Sequence, residues 1–117
     1  MLALQAPSQC AFAAPDSHRQ LSGAQIKAAF AGKILTDGIH WSAYLLRDGS
    51  FKSVEMGRSR KGHWQINGNE LCLSSPAGPG LECWTVVHSG TAFVFQTHGQ
   101  DVFEVTVEAP SPKYRFD

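Results

Sequence analysis

Imidazole, thiolate and guanidinium groups carry much of the chemistry open to a small domain, and this chain offers five histidines, three cysteines and one basic run. His40 and His63 each precede a tryptophan, Trp41 and Trp64, in stretches of alternating polarity, so each imidazole points to the face opposite its indole. With the tryptophans inward, both histidines face outward, and an imidazole holds a metal only where other ligands converge on it. A direct His40–His63 pair is not expected, because a meander places another strand between theirs. His88 and His98 flank one predicted hairpin, with Asp101 close by. That spacing permits a His-His-Asp metal cluster but is too undemanding to predict one. No metal and no cofactor are expected.

The basic run is Arg58-Ser59-Arg60-Lys61, read as a turn leading into the Trp64 strand, with Arg47 and Lys52 nearby. Such a rim suits an anionic ligand, a phosphate or a lipid headgroup; the alternative is a solvated turn. Trp41, Trp64 and Trp84, with Phe93, Phe95 and Phe103, form the aromatic inventory. As core, each large side chain contributes about 1.5–3 kcal/mol when fully buried. As cavity walls, they suit an apolar or ring-shaped ligand. The candidate ligand-binding residues are therefore Trp41, Trp64, Trp84, Arg58, Arg60, Lys61 and His63. No catalytic residue is assigned. A G-x-S-x-G elbow, a Cys-His signature and a glycine-rich phosphate loop are missing, and Glu104 and Glu108 fall on a solvent-facing strand side.

The cysteines bear on compartment. Met1 to Ser17 contains Ala11-Phe12-Ala13, a small-x-small pattern like a signal-peptidase site, but lacks a basic front and a full apolar core. We read it as a secretory signal shortened at its front, whose cleavage would remove Cys10. That leaves Cys72 and Cys83, an even pair close in sequence, which in an oxidising compartment reads as a disulfide. The chain-entropy account gives such a bond roughly 2–3 kcal/mol. The expected location is periplasmic or secreted.

These groups need a scaffold, and the sequence outlines one. Residues 1–20 lack periodicity and read as signal remnant and linker. Ser22 with Gln25 makes a capping box, Leu21 and Ile26 sit at the staple positions, and Gly32 ends a short helix whose Ile26, Ala29 and Phe30 share one face. The period then changes to two. Turn signals at Asp37-Gly38, Asp48-Gly49, Asn67-Gly68, Ser89-Gly90 and His98-Gly99 separate strands expected near 33–36, 39–46, 51–56, 62–67, 70–74, 81–88, 91–97 and 102–108. Ile39, Trp41, Ala43 and Leu45 share one face. So do Trp64 with Ile66, Leu71 with Leu73, and Phe103, Val105 and Val107. Trp84 is inward with Val86, and Thr85 and Val87 on the other side call for cover by the helix or a partner. One-sided strands want one buried face, so the fold is mainly β: an antiparallel meander of about eight short strands in a small barrel or curled sheet, with one N-terminal helix. The domain spans 21–109, and 110–117, with Pro110 and Pro112, is a tail.

The string "RDGS…MGRSRKGHWQINGNELCL…LECWTVV" resembles a family of small secreted proteobacterial domains of unknown function. It is carried by Asp48-Gly49, Gly62, Trp64, Ile66, Gly68, Leu71-Cys72 and Cys83-Trp84 over roughly residues 21–108. The resemblance implies a secreted β-rich domain with a disulfide and no particular activity. Lipocalin-like barrels and periplasmic lysozyme inhibitors share the general shape by analogy.

Composition narrows the classes. The chain has 117 residues, a formal net charge of zero and 17% charged residues, so general nucleic-acid binding, which relies on neutralising phosphates, is not expected. The apolar runs are far shorter than the roughly 20 residues of a membrane-spanning helix. The expected function is a non-catalytic binding domain for a small apolar or anionic ligand. The alternatives are a protein–protein module such as a hydrolase inhibitor, working through loops 75–80 or 57–61, and a small hydrolase or His-based metal or haem carrier. A barrel packed solid would favour the protein-binding alternative.

Overall fold

The structure is a computed structural model that describes residues 19–76, 78 and 80–116; the signal-like segment and Cys10 lie outside the described residues. In chain order the elements are β1 (Arg19–Gln20), α1 (Gly23–Phe30), β2 (Lys33–Thr36), β3 (Trp41–Leu45), β4 (Ser50–Glu55), β5 (Arg58–Asn67), β6 (Glu70–Ser74), β7 (Glu82–Ser89), β8 (Ala92–Thr97) and β9 (Gln100–Glu108). Strands β2 to β9 pair antiparallel, each with its neighbour in sequence, and β2–β9 pairing closes them into an eight-stranded barrel. The predicted fold class is the observed one. The unexpected element is β1, too short to carry a periodic signal, which pairs with β7 through Arg19–His88 and Gln20–Val87.

Two strands, β2 and β6, occupy the residues expected from alternation. The largest departure is β5, which begins at Arg58 rather than near Gly62. The turn before it is Met56-Gly57, both with positive φ (53° and 84°), as a two-residue hairpin turn of the primed type requires. Methionine gives no turn signal, so the reversal was placed on the basic run that follows. Arg58 to Lys61 are strand residues, registered against Glu55 to Lys52 of β4. A second departure is Ile39, expected inward with Trp41. It lies in the β2–β3 turn and is 82% exposed.

Helix α1 starts as the capping box predicts. The Gln25 N–H donates to Ser22 Oγ (3.2 Å), and the Ser22 N–H donates to Gln25 Oε1 (2.8 Å). The Gly23 N–H donates to Asn69 Oδ1 (2.8 Å), tying the helix to the β5–β6 turn. Eight residues are too few to be stable alone, so the helix depends on burial. Ile26 and Phe30 are fully buried, and the Phe30 ring sits 5.1 Å from Phe93 and 6.0 Å from Phe95. The helix packs against β2, β5 and β6 and plugs one end of the barrel, rather than covering the outer side of β7.

Cys72 and Cys83 are directly opposite across β6 and β7 and are joined by a disulfide. The tail expected after Glu108 is packed along the outer wall. Phe116 is buried 6.1 Å from the Tyr44 ring, the Tyr114 hydroxyl donates to Glu108 Oε1 (2.6 Å), and the segment covers Ile34, an outward residue of β2 that is only 1% exposed.

Candidate functional site

Because the strands are antiparallel neighbours, their ends alternate. The turns 46–49, 68–69 and 90–91 lie at the helix end, and the turns at 37–40, 56–57 and 98–99 and the β6–β7 connection lie at the other. The inward residues of alternate positions meet between these ends and leave a cavity of about 260 Å³. Its deep walls are Leu35, Ala43, Leu45, Phe51, Leu71 and Phe95. Nearer the open end it is bounded by Trp41, Trp84, Phe103 and Leu73, and at the mouth by Ser53, Glu55, Arg60 and Glu82. The aromatic rings form a connected wall: Trp84 is 5.7 Å from both Phe95 and Phe103, and Trp41 is 5.7 Å from Phe103. Among the described residues, the large apolar side chains that are most exposed, Ile39, Met56, Leu81 and Val102, all belong to the strand ends and turns around this mouth.

The seven predicted ligand-binding residues separate cleanly. Trp41, Trp84 and Arg60 line the cavity. Trp64 does not. It is buried nearer the helix end, where its Nε1–H donates to the Leu46 carbonyl (2.7 Å) and its N–H to the Gly49 carbonyl (2.8 Å), so it anchors the β3–β4 turn. Arg58 shares the inner parity of β5 but stands at its outermost position, exposed and opposite Glu55. Lys61 and His63 have the opposite parity and are exposed on the outer wall, away from the cavity.

The described histidines, His40, His63, His88 and His98, are not gathered. His88 is at the helix end, stacked 4.7 Å from Phe93, while His98 is at the mouth, so β8 separates the proposed metal-binding pair. Asp101 instead accepts from Gln96 Nε2 (2.8 Å). His40 and His63 are separated by β4, as expected. The ligand atoms of Glu70, Cys72 and Cys83 come within 4.8 Å of one another, but both sulfurs are committed to the disulfide.

The β2–β3 turn that carries Ile39 and Trp41 to the mouth is held by two buried or half-buried polar groups. Asp37 Oδ1 accepts from the N–H groups of His40 (2.7 Å), Ile39 (2.9 Å) and Trp41 (3.1 Å), and its Oδ2 meets His40 Nδ1 at 3.0 Å. Thr36 Oγ1 donates to the Trp41 carbonyl (2.7 Å) and accepts from the Gly38 N–H (2.9 Å). Desolvation alone would raise the Asp37 carboxyl, but the backbone N–H donors outweigh it and hold the group well below the usual carboxylate range. A depressed carboxyl contributes stability above its unfolded value, near 4, and loses it as the pH falls towards the folded value. Asp37→Ala should therefore lower stability by about 1 kcal/mol at neutral pH, as loss of a comparable capping carboxylate does. The gap between wild type and variant in urea midpoints should stay constant above about pH 4 and shrink below it. A gap that widened in acid would contradict this reading.

Glu55, Glu82 and Ser53 were not singled out from the sequence. Their inward parity is readable once their strands are drawn correctly, but nothing local marks them as belonging to one mouth. Comparison of the chain with protein-family models, curated proteins and solved structures finds no match. The cavity itself therefore carries the functional reading.

Proposed function

We propose that this chain is a non-catalytic binding domain, exported to the periplasm or beyond, that holds a small, largely apolar ligand inside its barrel. The observation that carries the reading is the cavity. A barrel of eight short strands is normally just wide enough for its own side chains to fill, yet here an aromatic-walled space of about 260 Å³ remains behind one open mouth. That is slightly below the usual range for small-molecule sites, roughly 300–1,000 Å³, and suits a ligand of a dozen or so heavy atoms at most. The disulfide and the signal-like N-terminal residues support export.

Ala43 gives the direct test. It is small, inward and 6% exposed. A phenylalanine there would project into the space between Trp41 and Leu45 without replacing a polar contact. Titration with 2-naphthol, followed by quenching of tryptophan emission, should show saturable binding to the wild-type protein. Binding should weaken about tenfold or more in Ala43→Phe, as expected when a filled pocket loses most of its apolar contact. Equal binding by a variant with wild-type circular dichroism would refute the cavity as the site.

A second reading, docking of another protein, is favoured by Ile39, Met56, Leu81 and Val102. These apolar tips are exposed together around one opening, which isolated surface apolar residues are not. In the first reading the same tips border the entrance for an apolar ligand.

A further inference from the structure

We propose that the ligand is a short single-tailed amphiphile with one negative charge. Its tail lies among the aromatic walls and its carboxylate head is bound by Arg60 and Ser53. This rests on the cavity being the binding site and adds the chemistry of what enters it.

The tail length follows from volume. At roughly 30 Å³ for a group the size of a water molecule or a methylene, the 260 Å³ space accommodates about nine such groups. The deep surface offers only apolar contacts, so the tail goes in first and the head stays at the mouth. The charged residues lining that mouth are Glu55, Glu82 and Arg60, and they are not equivalent. Both glutamates are exposed and keep their water, and Glu55 stands across the β4–β5 pair from Arg58. Arg60 is half-buried. Among the described residues no carboxylate lies within 4.0 Å of its guanidinium, and it makes no hydrogen bond with them. A guanidinium carries five donors and no acceptor, so partial burial without a partner leaves it the group at this mouth with most to gain from an anion.

Its neighbours reinforce the choice. The residue opposite Arg60 is Ser53, whose side chain also lines the cavity and whose hydroxyl can donate to the same head. On another side the backbone of Gly78 closes over Arg60, since even a Cβ at Gly78 would lie 2.9 Å from Nη2. The guanidinium is thus confined beside a short hydroxyl, an arrangement suited to a planar carboxylate. The two glutamates on the rim oppose a head with more than one charge, which disfavours a phosphate monoester.

The test compares one tail with four heads: octanoate, octanol, octylamine and octyl phosphate, titrated calorimetrically into the full chain and into Arg60→Gln. Octanoate should bind the wild-type protein about tenfold more tightly than octanol, the usual scale of a charge-assisted hydrogen bond. Arg60→Gln should abolish that advantage while leaving octanol affinity within about twofold, which also shows that the variant is folded. Equal affinity for octanoate and octanol, tightest binding of octylamine, or octyl phosphate binding above octanoate would each overturn the carboxylate proposal while leaving the cavity reading in place. Failure of octanol and octanoate alike to bind would overturn both.

Discussion

Replacing Phe30 by alanine is expected to remove about 3–5 kcal/mol of folding stability, a large share of the roughly 5–15 kcal/mol available to a domain of this size. Phe30 is fully buried at the last position of α1 and packs edge-on against Phe93 and in a near-parallel stack with Phe95. The helix is eight residues long and has no stability of its own. Its aromatic side chain ties the helix into the core at this end of the barrel, and without it Phe93 and Phe95 lose their ring contacts with the helix. The urea midpoint should fall with little change in slope, and thermal unfolding should drop by at least 10 °C at roughly 4 °C per kcal/mol. Phe30→Leu, which keeps most of the volume, should lose under about 2 kcal/mol. A Phe30→Ala protein within 1 kcal/mol of wild type would mean the helix is dispensable and the plug description wrong.

The second large effect is expected at Gly62. Strand β5 is ten residues long and serves two partners: its first part pairs with β4 as far as His63, and from His63 onward it pairs with β6. The strand must bend where it changes allegiance, a usual site for glycine in a closed sheet. A Cβ at Gly62 would collide with the Ser74 carbonyl oxygen and sit 2.8 Å from the Phe51 ring. Backbone cannot swing aside as a flexible side chain can. Gly62→Val should therefore destabilise by about 3 kcal/mol or more, as overpacking does at its upper end, and reduce the soluble yield. Gly57→Ala provides the contrast. Gly57 has φ 84° and nothing near its missing Cβ, so it should lose only the left-handed conformational penalty of about 1–2 kcal/mol. Similar losses at the two positions, measured by chemical denaturation, would argue that space around Gly62 is not the issue.

Gly62 also explains how the basic run was misplaced. Read as the start of a strand, it marked Arg58 to Lys61 as a turn, whereas the reversal lies at Met56-Gly57. Extending the period of two back through Gly62 puts Arg60 on the same face as Trp64 and Ile66, and Lys61 and His63 on the other. The information was present in the spacing. What hid it was a methionine in a turn, held at positive φ by the hairpin rather than by its own preference. Trp64 is core rather than cavity wall for a different reason. Its inward face was correct, but an indole near the helix end finds the Leu46 carbonyl and the packed core, while Trp41 and Trp84, on equally inward positions nearer the mouth, face open space.

By itself, then, the amino-acid order determined whatever depends on neighbours a few residues apart. That covers the capping box at Ser22 and Gln25, the turn at His98-Gly99, the reversal near Gly68 (which falls on Gly68-Asn69, with Asn67 ending β5), the inward parity of most strands, and the eight-strand mainly-β class. The Cys72–Cys83 pairing could be read as well, because two adjacent strands joined by a short loop bring the cysteines opposite each other. Only the tertiary structure decided which inward residues border a cavity. Parity is a property of one strand, with a period of two. Height in the barrel is set by the register of all eight strands together, and the empty space is whatever the plug formed by Ile26 and Phe30 does not fill. Arg60, Ser53, Glu55 and Glu82 come from three strands and meet at one mouth for that reason, and no local pattern in any of those strands records it.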